Sequence, residues 1–488
     1  YSPVSRLYRN PIYIDVTAVP ELRESTEARA LLDDPDTQAT LAALRAATHV
    51  DYEGVWGLKR RVLEILHRAF IVRHRDARSG RGRDYRRYVE EEGATLVNFA
   101  TFCALEDHFA GESRPRGWPH WPEEFRSPDS PDVVAFRSAN ADDVDFHRWL
   151  QYEVDRQLAD AAAVAKESKQ GIGIYQDLAI GAAPDGADMW AFGHLFLRGV
   201  SVGAPPDAYA PQGQNWGLPP IDPRRLIEDR YAFWISLIRA SLRHTGALRI
   251  DHVLGLFRQF WIPEGMPGRM GAYIRFPTED LMGILALESV RHHAVIVGED
   301  LGTVPPEVPG TLERWGILSS RVMYFERESD GRFRSASSYP RLSLTTADTH
   351  DMATIAGFWA GRDIELQRMA GLIESDERAE AALAHREQER RFLVERLVAE
   401  GALKSTDAQT PSNAELRGAV HRFLCSTPAA LVGVYLEDLV GEREPVNLPG
   451  VGADVFRSWT RRLSHTLESL ATDPDVAVSF PDAVRSGR

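Results

Sequence analysis

The 488-residue chain is 43% hydrophobic and 26% charged, which is the composition of an ordinary globular protein. Its formal net charge of −14 argues against nucleic acids and anionic membranes as partners, because both carry negative charge themselves. The two cysteines form no CxxC pair and no apolar run approaches the ~20 residues of a membrane span, which argues against a disulfide framework, a cysteine-based zinc site and a transmembrane helix.

The predicted elements repeat along the chain as an amphipathic helix followed by a short apolar strand that ends in polar residues. In chain order, the strands are predicted within GIGIYQDLAIG (171–181), ALRIDHV (247–253), AVIVGEDLG (294–302), RVMYFE (321–326), SLTTADTHD (343–351) and ALVGVYLED (430–438). Six such units indicate an α/β protein with buried parallel strands. Four strands end in charged sequences, and no phosphate-binding glycines gather at a first turn, so a (β/α)8 TIM-type barrel is favoured over a doubly wound sheet.

Two regions are predicted to be insertions into this barrel. Residues 15–140 are charged and interrupted by prolines, and we expect a mainly helical insertion there. Residues 362–410 are expected to form a second helical insertion. Its many charged side chains are expected to lie on helix faces that contact solvent. The whole chain, 1–488, is then one catalytic barrel domain.

Three strand ends supply the carboxylates Asp251, Glu299 and Asp351. Cleaving a glycosidic bond needs one acid that protonates the leaving oxygen and a second carboxylate that faces the anomeric carbon. Two acids on adjacent parallel strands suit this task, with carboxyl groups ~5–5.5 Å apart when the reaction is retaining. Each carboxylate taken singly is also explained as a helix cap or an ion pair, but three together favour the catalytic interpretation.

Neighbouring residues are expected to set the protonation state of these acids. Arg249 lies two residues before Asp251, so both side chains point to the same side of the strand and the guanidinium should keep Asp251 ionised. Glu299 follows the apolar sequence VIVG, and such surroundings raise a carboxyl pKa toward the range of a general acid. His350 directly precedes Asp351 and is a candidate donor to a substrate hydroxyl. A structural role is the alternative for His350 and for His252.

Longer stretches occur in an order typical of one family. They are YSPVSRLYRNPIYID, IYQDLAIGAAPDGADMW, VGAPPDAYAPQGQNWGLPPIDP, ALRIDHVLGLFRQFWIP, VIVGEDLGTVPPEV, TTADTHDMATIAGFW and EPVNLPG. This text, which runs from residue 1 to about residue 470, resembles the 4-α-glucanotransferases (amylomaltases or disproportionating enzymes) of glycoside hydrolase family 77. The resemblance implies a retaining double displacement on a (β/α)8 barrel, with neither a cofactor nor a metal ion.

The resemblance also assigns roles residue by residue. It implies that Asp251 is the nucleophile, Glu299 the acid/base and Asp351 the stabiliser of the transition state. It implies substrate-binding roles for Tyr1, Asp177, Gln214, Trp216, Arg249, His252, His350 and Asn447. Among these, Asp177 is expected to close a strand, and Gln214 and Trp216 are expected in a long loop over the glucan. The family has two barrel strands before the segment that begins at Tyr1, so we expect that this chain lacks the first two strands.

The expected activity is transfer of α-1,4-glucan segments from a donor maltooligosaccharide to an acceptor glucan or glucose. These residues do not distinguish transfer from hydrolysis, because both reactions pass through the same glycosyl-enzyme. The two reactions differ only in whether a sugar hydroxyl or water attacks that intermediate. An α-glucan hydrolase of the α-amylase type and a non-catalytic glucan-binding fragment stay as alternatives. Maltooligosaccharides and α-1,4-glucans are the expected partners, neither nucleic acid nor membrane is expected, the sequence does not predict an oligomeric state, and a cytoplasmic location is expected.

Overall fold

A computed structural model describes residues 3–75, 79–112, 115–206, 212–404 and 411–479 of the chain. The chain divides into two compact units. The first unit comprises Tyr1–Arg45 and Tyr52–Ile317, and the second comprises Ala46–Asp51 and Leu318–Arg488. Among the described residues, none of the helices is long and apolar enough to cross a membrane.

The first unit is rich in helices over its first half and mixes helices with strands over its second. Its helices are α1 (Thr26–Asp33), α2 (Pro35–Ala46), α3 (Tyr52–Phe70), α4 (Gly80–Gly111, with a kink at Gly93), α5 (Pro131–Ala139), α6 (Ala141–Glu167), α7 (Ala187–Ala191), α8 (Pro223–Glu228), α9 (Ala232–Leu242), α10 (Thr278–His292) and α11 (Glu307–Trp315). Its strands are β1 (Tyr175–Leu178), β2 (Val200–Ala204), β3 (Gln214–Leu218), β4 (Ala247–Ile250), β5 (Arg258–Pro263), β6 (Ala272–Arg275) and β7 (Val295–Gly298).

Three strands of the first unit run parallel, and β4 lies between β1 and β7. The buried pattern of β4 is nearly continuous, as expected for a strand covered on both faces. Helices α9 and α10 supply Ile238, Leu242 and Leu285 to the apolar core that these strands share. The other four strands form an antiparallel sheet in the order β3-β2-β5-β6.

The second unit repeats the α/β pattern. Its strands are β8 (Leu318–Val322), β9 (Ser343–Thr346) and β10 (Leu431–Val432), and its helices are α12 (Ile355–Ala360), α13 (Arg362–Met369), α14 (Asp376–Ala399), α15 (Asn413–Ser426), α16 (Leu436–Val440), α17 (Leu467–Leu470) and α18 (Pro474–Ser479). Strand β9 pairs in parallel with both β8 and β10. The core of this unit gathers Phe333, Phe358, Leu397 and Phe423.

The α/β class and all six predicted strands are confirmed, although β8 begins at Leu318 and the predicted RVMYFE segment continues as a short 3₁₀-helix. The long loop in which Gln214 and Trp216 were expected is in part regular structure, because β2 and β3 form an antiparallel pair and both residues lie in β3. The assignment of one barrel domain with two insertions stays a prediction, as does the expectation about the first two barrel strands.

Candidate active site

The register of the parallel strands brings Asp251 and Glu299 together. Ile250 of β4 lies opposite Gly298 of β7, and each acid is the next residue along its strand. The ladder continues through them, because the Glu299 amide donates to the Ile250 carbonyl and the Asp251 amide donates to the Leu178 carbonyl. Neighbouring strands lie ~4.8 Å apart, so the expectation that these two acids occupy adjacent parallel strands is confirmed.

A network of charges surrounds Asp251. Arg249 Nη2 lies 2.9 Å from Asp251 Oδ1, and Arg249 Nη1 lies 2.8 Å from both carboxylate oxygens of Asp177. Asp177 and Arg249 are register partners on β1 and β4, so their side chains emerge side by side. Asp177 is the next-to-last residue of β1, at the carboxyl end of that strand. One guanidinium thus bridges two carboxylates on adjacent strands.

Burial has a larger effect on the Asp251 carboxyl than this arginine. The pKa of Asp251 is raised above the ordinary aspartate value, first by burial, against which Arg249 acts, and then by the negative charge of Asp177. The expected contact between Arg249 and Asp251 exists and lowers the Asp251 pKa, but burial outweighs it and the net shift is upward. A largely apolar cavity of about 100 Å³, bordered by Asp251 and His252, is consistent with this desolvation.

The Glu299 carboxyl has the high pKa expected of a proton donor. Burial, followed by the charge of Asp251, raises the pKa of Glu299 to about 7. Two main-chain amides oppose this shift, since Glu299 Oε2 accepts from the His252 amide at 2.8 Å and Oε1 accepts from the Leu301 amide at 2.9 Å. These bonds also fix the direction of the carboxyl group. The apolar approach strand predicted from the sequence is confirmed as the setting of this acid.

The turn after β4 joins Glu299 to an aromatic side chain. His252 has a left-handed backbone conformation, with φ 45°, and burial lowers its pKa to about 4. Its ring packs edge-on against the indole of Trp216, with centroids 5.1 Å apart. Trp216 Nε1 in turn donates to Gln214 Oε1 at 3.0 Å. Three of the predicted substrate-binding residues, Gln214, Trp216 and His252, therefore form one series of contacts that runs from β3 to the turn after β4.

A separate group of predicted residues meets within the second unit. Asn447 Nδ2 donates to Asp351 Oδ1 at 2.7 Å, and His350 Nε2 lies 3.4 Å from Asp351 Oδ2. The His350 ring packs against Trp459 at 5.2 Å between centroids. The Asp351 side chain is 44% exposed, whereas that of Asp251 is 17% exposed. Contacts with Asn447 and His350 therefore hold the Asp351 carboxylate in place, and its exposed surface leaves it accessible to a ligand.

Some functional neighbours were not predicted, and one prediction falls outside the described residues. Tyr1 is not among the residues that the structure describes. Arg6 was overlooked: its guanidinium donates to the carbonyls of Gly181 and Ile180, the loop whose Ile180 amide faces Asp251 Oδ2 at 3.4 Å. Arg6 lies in the segment YSPVSRLYRNPIYID, but nothing in the local pattern distinguishes it from other arginines.

No metal-binding group of three or more His, Cys, Asp or Glu side chains occurs in the described part of the chain.

Known proteins resemble the chain over its whole length. The profile of glycoside hydrolase family 77, described as 4-alpha-glucanotransferase, matches residues 1–468. The 4-alpha-glucanotransferases of Mycobacterium tuberculosis and Haemophilus influenzae are 37% and 34% identical over 100% and 98% of this chain. The crystal structure of amylomaltase from Corynebacterium glutamicum superposes with a TM-score of 0.86 at 35% identity, covering 99% of this chain and 67% of that one.

The chain covers only part of the length of the relatives that it matches. The chain spans 66% of the Mycobacterium tuberculosis enzyme and 69% of the Haemophilus influenzae enzyme. The family match itself covers nearly all of the present sequence, and the order of the quoted motifs agrees with it. The chain therefore belongs to the 4-alpha-glucanotransferases of glycoside hydrolase family 77.

Proposed function

We propose that this chain is a 4-α-glucanotransferase that moves α-1,4-glucan segments from a donor maltooligosaccharide to an acceptor glucan or glucose. The observation that carries the proposal is the pair of acids on adjacent strands. Asp251 contacts a guanidinium, whereas Glu299 has a pKa of about 7, so the two carboxyls are suited to opposite tasks. The names of the relatives support the same activity.

The proposed reaction is a retaining double displacement. Glu299 gives its proton to the glycosidic oxygen while a carboxylate oxygen of Asp251 attacks the anomeric carbon, which releases the shortened donor and leaves a glycosyl ester on Asp251. Glu299, now ionised, takes the proton of an acceptor hydroxyl as that oxygen attacks the same carbon and frees Asp251. Asp351 stabilises the positive charge that develops on the sugar ring in both steps.

The remaining site residues are proposed to bind the glucan. They are Tyr1, Asp177, Gln214, Trp216, Arg249, His252, His350 and Asn447. Neutral His252 is suited to exchanging hydrogen bonds with hydroxyls, since its low pKa keeps the ring uncharged at neutral pH. We also propose the finer fold, in which the parallel strands of both units belong to a (β/α)8 barrel. The cytoplasmic location stays a prediction.

The test is the product pattern from maltotriose. A transferase should give a ladder of longer maltooligosaccharides together with free glucose, and the number of reducing ends should stay constant. Net new reducing ends without a ladder would identify a hydrolase instead, and no products at all would support a non-catalytic glucan-binding protein.

Asp251→Asn tests the assigned nucleophile in the same assay. The change should lower the transfer rate by at least about 10³-fold, because the ester intermediate cannot form, while the melting temperature stays near that of the wild type. Asp160→Asn, which removes an exposed carboxylate paired with Arg156 on α6, is the matched control and should keep full activity. Transfer by Asp251→Asn within tenfold of the wild type would contradict the assignment.

A further inference from the structure

A second cavity lies in the first unit, among the N-terminal segment, α4, α6 and α9. Its volume is about 290 Å³, at the lower end of the ~300–1,000 Å³ range of small-molecule pockets. None of the residues proposed for catalysis or glucan binding lines it. Three guanidinium groups and three carboxylates do line it, from Arg9, Arg239, Arg243, Glu91, Glu92 and Asp155.

Two of these guanidinium groups already have anionic partners. Arg243 contacts the carboxylate of Glu92, and its Nη1 lies 3.2 Å from Asp155 Oδ1. Arg239 Nη2 lies 2.9 Å from a carboxylate oxygen of Glu288, which lies outside the cavity lining. The positive charge of both side chains is therefore compensated within the protein.

Arg9 differs from them because its guanidinium partners are neutral. Its Nη2 donates to Gln176 Oε1 and to the Ala240 carbonyl, each at 2.8 Å, and no carboxylate forms an ion pair with it among the described residues. Burial lowers the pKa of Arg9, the positive charge of Arg243 lowers it further, and the negative charge of Asp155 acts against both. Arg9 is half-buried and no described carboxylate is in ion-pair contact with it, so a negative group placed in the cavity beside its guanidinium would gain a direct partner.

The rest of the lining offers hydroxyl groups. Tyr88, Thr95 and Ser236 line the cavity, and within the described part of the chain no hydrogen bond uses their hydroxyls. The Glu91 carboxylate also lines it, and its one ion-pair contact is with Arg87 at 4.0 Å. The hydroxyl groups can both donate and accept hydrogen bonds, whereas the carboxylate only accepts them. This part of the lining is therefore complementary to a ligand that itself carries several hydroxyl groups.

We propose that this cavity is a second, non-catalytic binding site for a small hydroxylated anion of the phosphorylated-monosaccharide class. The anionic group binds Arg9, and the hydroxyls of the ligand bind Tyr88, Ser236 and Glu91. A phosphate group suits the guanidinium because its oxygens accept two parallel N–H bonds. The site is independent of the glucan-transfer reaction, since none of its residues belongs to the proposed active site.

Isothermal titration of the full chain tests the proposal with three probes: glucose 6-phosphate, inorganic phosphate and glucose. Glucose 6-phosphate should bind saturably and about tenfold more tightly than inorganic phosphate. Arg9→Gln should weaken both anions by at least about tenfold, which is the usual effect of losing a charge-assisted hydrogen bond. Tyr88→Phe, which removes only a hydroxyl, should weaken glucose 6-phosphate and leave inorganic phosphate unchanged.

Arg225→Gln is the matched control, because Arg225 also donates to a main-chain carbonyl but lies outside the cavity lining. It should bind all three probes like the wild type. Equal affinity for glucose and glucose 6-phosphate would overturn the anionic part of the proposal, and equal affinity for both phosphates would overturn the hydroxyl part. Absence of anion binding, or unchanged binding in both Arg9→Gln and Tyr88→Phe, would overturn the site. The second variant keeps the test decisive if Arg9→Gln fails to fold.

Discussion

Glu299 and Asp251 illustrate how two carboxyls on adjacent strands acquire different chemistry from their contacts. Both are buried, and burial raises both pKa values. Only Asp251 touches a cation, since Arg249 reaches its Oδ1, whereas the polar contacts of Glu299 are with main-chain amides. The negative charge of Asp251 then raises the Glu299 pKa again, which favours the protonated form of Glu299.

These pKa values predict a bell-shaped dependence of kcat/KM on pH. Activity should fall as pH rises through about 7, because Glu299 loses the proton that the leaving group needs. It should also fall at low pH, at a value above the ordinary aspartate pKa, because Asp251 becomes protonated and loses its nucleophilicity. The two apparent values belong to the pair rather than to either acid. Initial rates with maltotriose from pH 4 to 9 measure them, and a flat rate from pH 6 to 9 would contradict the role of Glu299.

Glu299→Gln separates proton donation from the other effects of this side chain. The amide keeps the shape but cannot donate a proton to the leaving oxygen, so an ordinary maltooligosaccharide donor should react about 10²–10⁴-fold more slowly. An α-maltosyl fluoride donor needs no such proton for its first step, and release of fluoride should be affected far less. Single-turnover fluoride release is the measurement, and equal losses with both donors would argue for a structural role.

The sequence predicted contacts within one strand and the adjacency of the strands that end in Asp251 and Glu299, whereas it did not predict the register between β1 and β4. The Arg249–Asp251 pair follows from the two-residue period of a strand. The bridge from Arg249 to Asp177 depends on the register of β1 with β4, across 72 positions of the chain. The net upward shift of the Asp251 pKa depends on that register and on burial, neither of which the sequence displays.

At the scale of elements, the loop after β9 is tied to α16 by two buried acids. Asp348 and Asp438 are 3% and 1% exposed, and their carboxyl groups share a hydrogen bond. The Oδ2 atoms of both receive no hydrogen bond from other described groups. Burial raises the pKa of both, that of Asp438 to about 7, so the pair holds a proton that joins the two carboxyls. Asp438 Oδ1 also accepts the Ile355 amide at 2.8 Å, which anchors the start of α12.

This pair predicts that local stability falls as pH rises. Because burial raises both folded pKa values above the unfolded value of ~3.9, the folded chain binds more protons than the unfolded chain between about pH 4 and 7, and stability is lost as pH rises through that window. The nearby charges of Glu437 and Arg417 act in opposite directions on Asp438. Hydrogen exchange at the Ile355 amide should therefore accelerate beyond its intrinsic pH dependence between about pH 4 and 7.

Asp348→Asn is the matched variant for this prediction. An amide N–H replaces the shared proton permanently, so the excess pH dependence at Ile355 should disappear while protection at low pH is kept. The same excess slope in the variant and the wild type would show that the acid pair does not control this contact.

The elements differ in how well their sequences identify them. The parallel strands are short apolar runs that end in polar residues, and this pattern predicted all six. The segment from β2 to β3 contains many prolines and glycines, and such a composition predicts a loop. Strand β2 forms because it pairs with β5, which lies more than 50 residues further along the chain. The Asp348–Asp438 contact is similarly non-local, and the sequence TTADTHD around Asp348 does not indicate it. Non-local pairing, rather than local propensity, is what the sequence left undetermined.

At the scale of the whole molecule, the proposed activity draws on residues from both units. Asp251 and Glu299 belong to the first unit, and Asp351 and Asn447 belong to the second. The acids alone explain bond cleavage, but the choice between transfer and hydrolysis depends on what attacks the intermediate. A well-oriented acceptor competes with water through its effective concentration, which can be very large. The relevant question is which side chain near Asp251 can hold a second sugar.

Trp216 is the side chain that we propose for this role, and its replacement is the most informative test of transfer. Its half-buried indole packs on His252, directly after Asp251, and offers a flat face of the kind on which sugars stack. Trp216→Ala should leave glycosyl-enzyme formation largely intact but weaken its capture by glucan, so the ratio of transfer products to net new reducing ends should fall. Reducing ends separate the outcomes because transfer conserves them and each hydrolysis creates one.

Trp261→Ala is the matched control, since Trp261 lies in the same antiparallel sheet and likewise donates its Nε1 to a glutamine two residues earlier, Gln259. It removes an equal indole without the His252 contact and should leave the product ratio unchanged. If both variants lower transfer and hydrolysis alike, the indoles serve the stability of the sheet. If Trp216→Ala alone shifts the product ratio toward hydrolysis, the aromatic contact beside the nucleophile is what gives the acceptor its advantage over water.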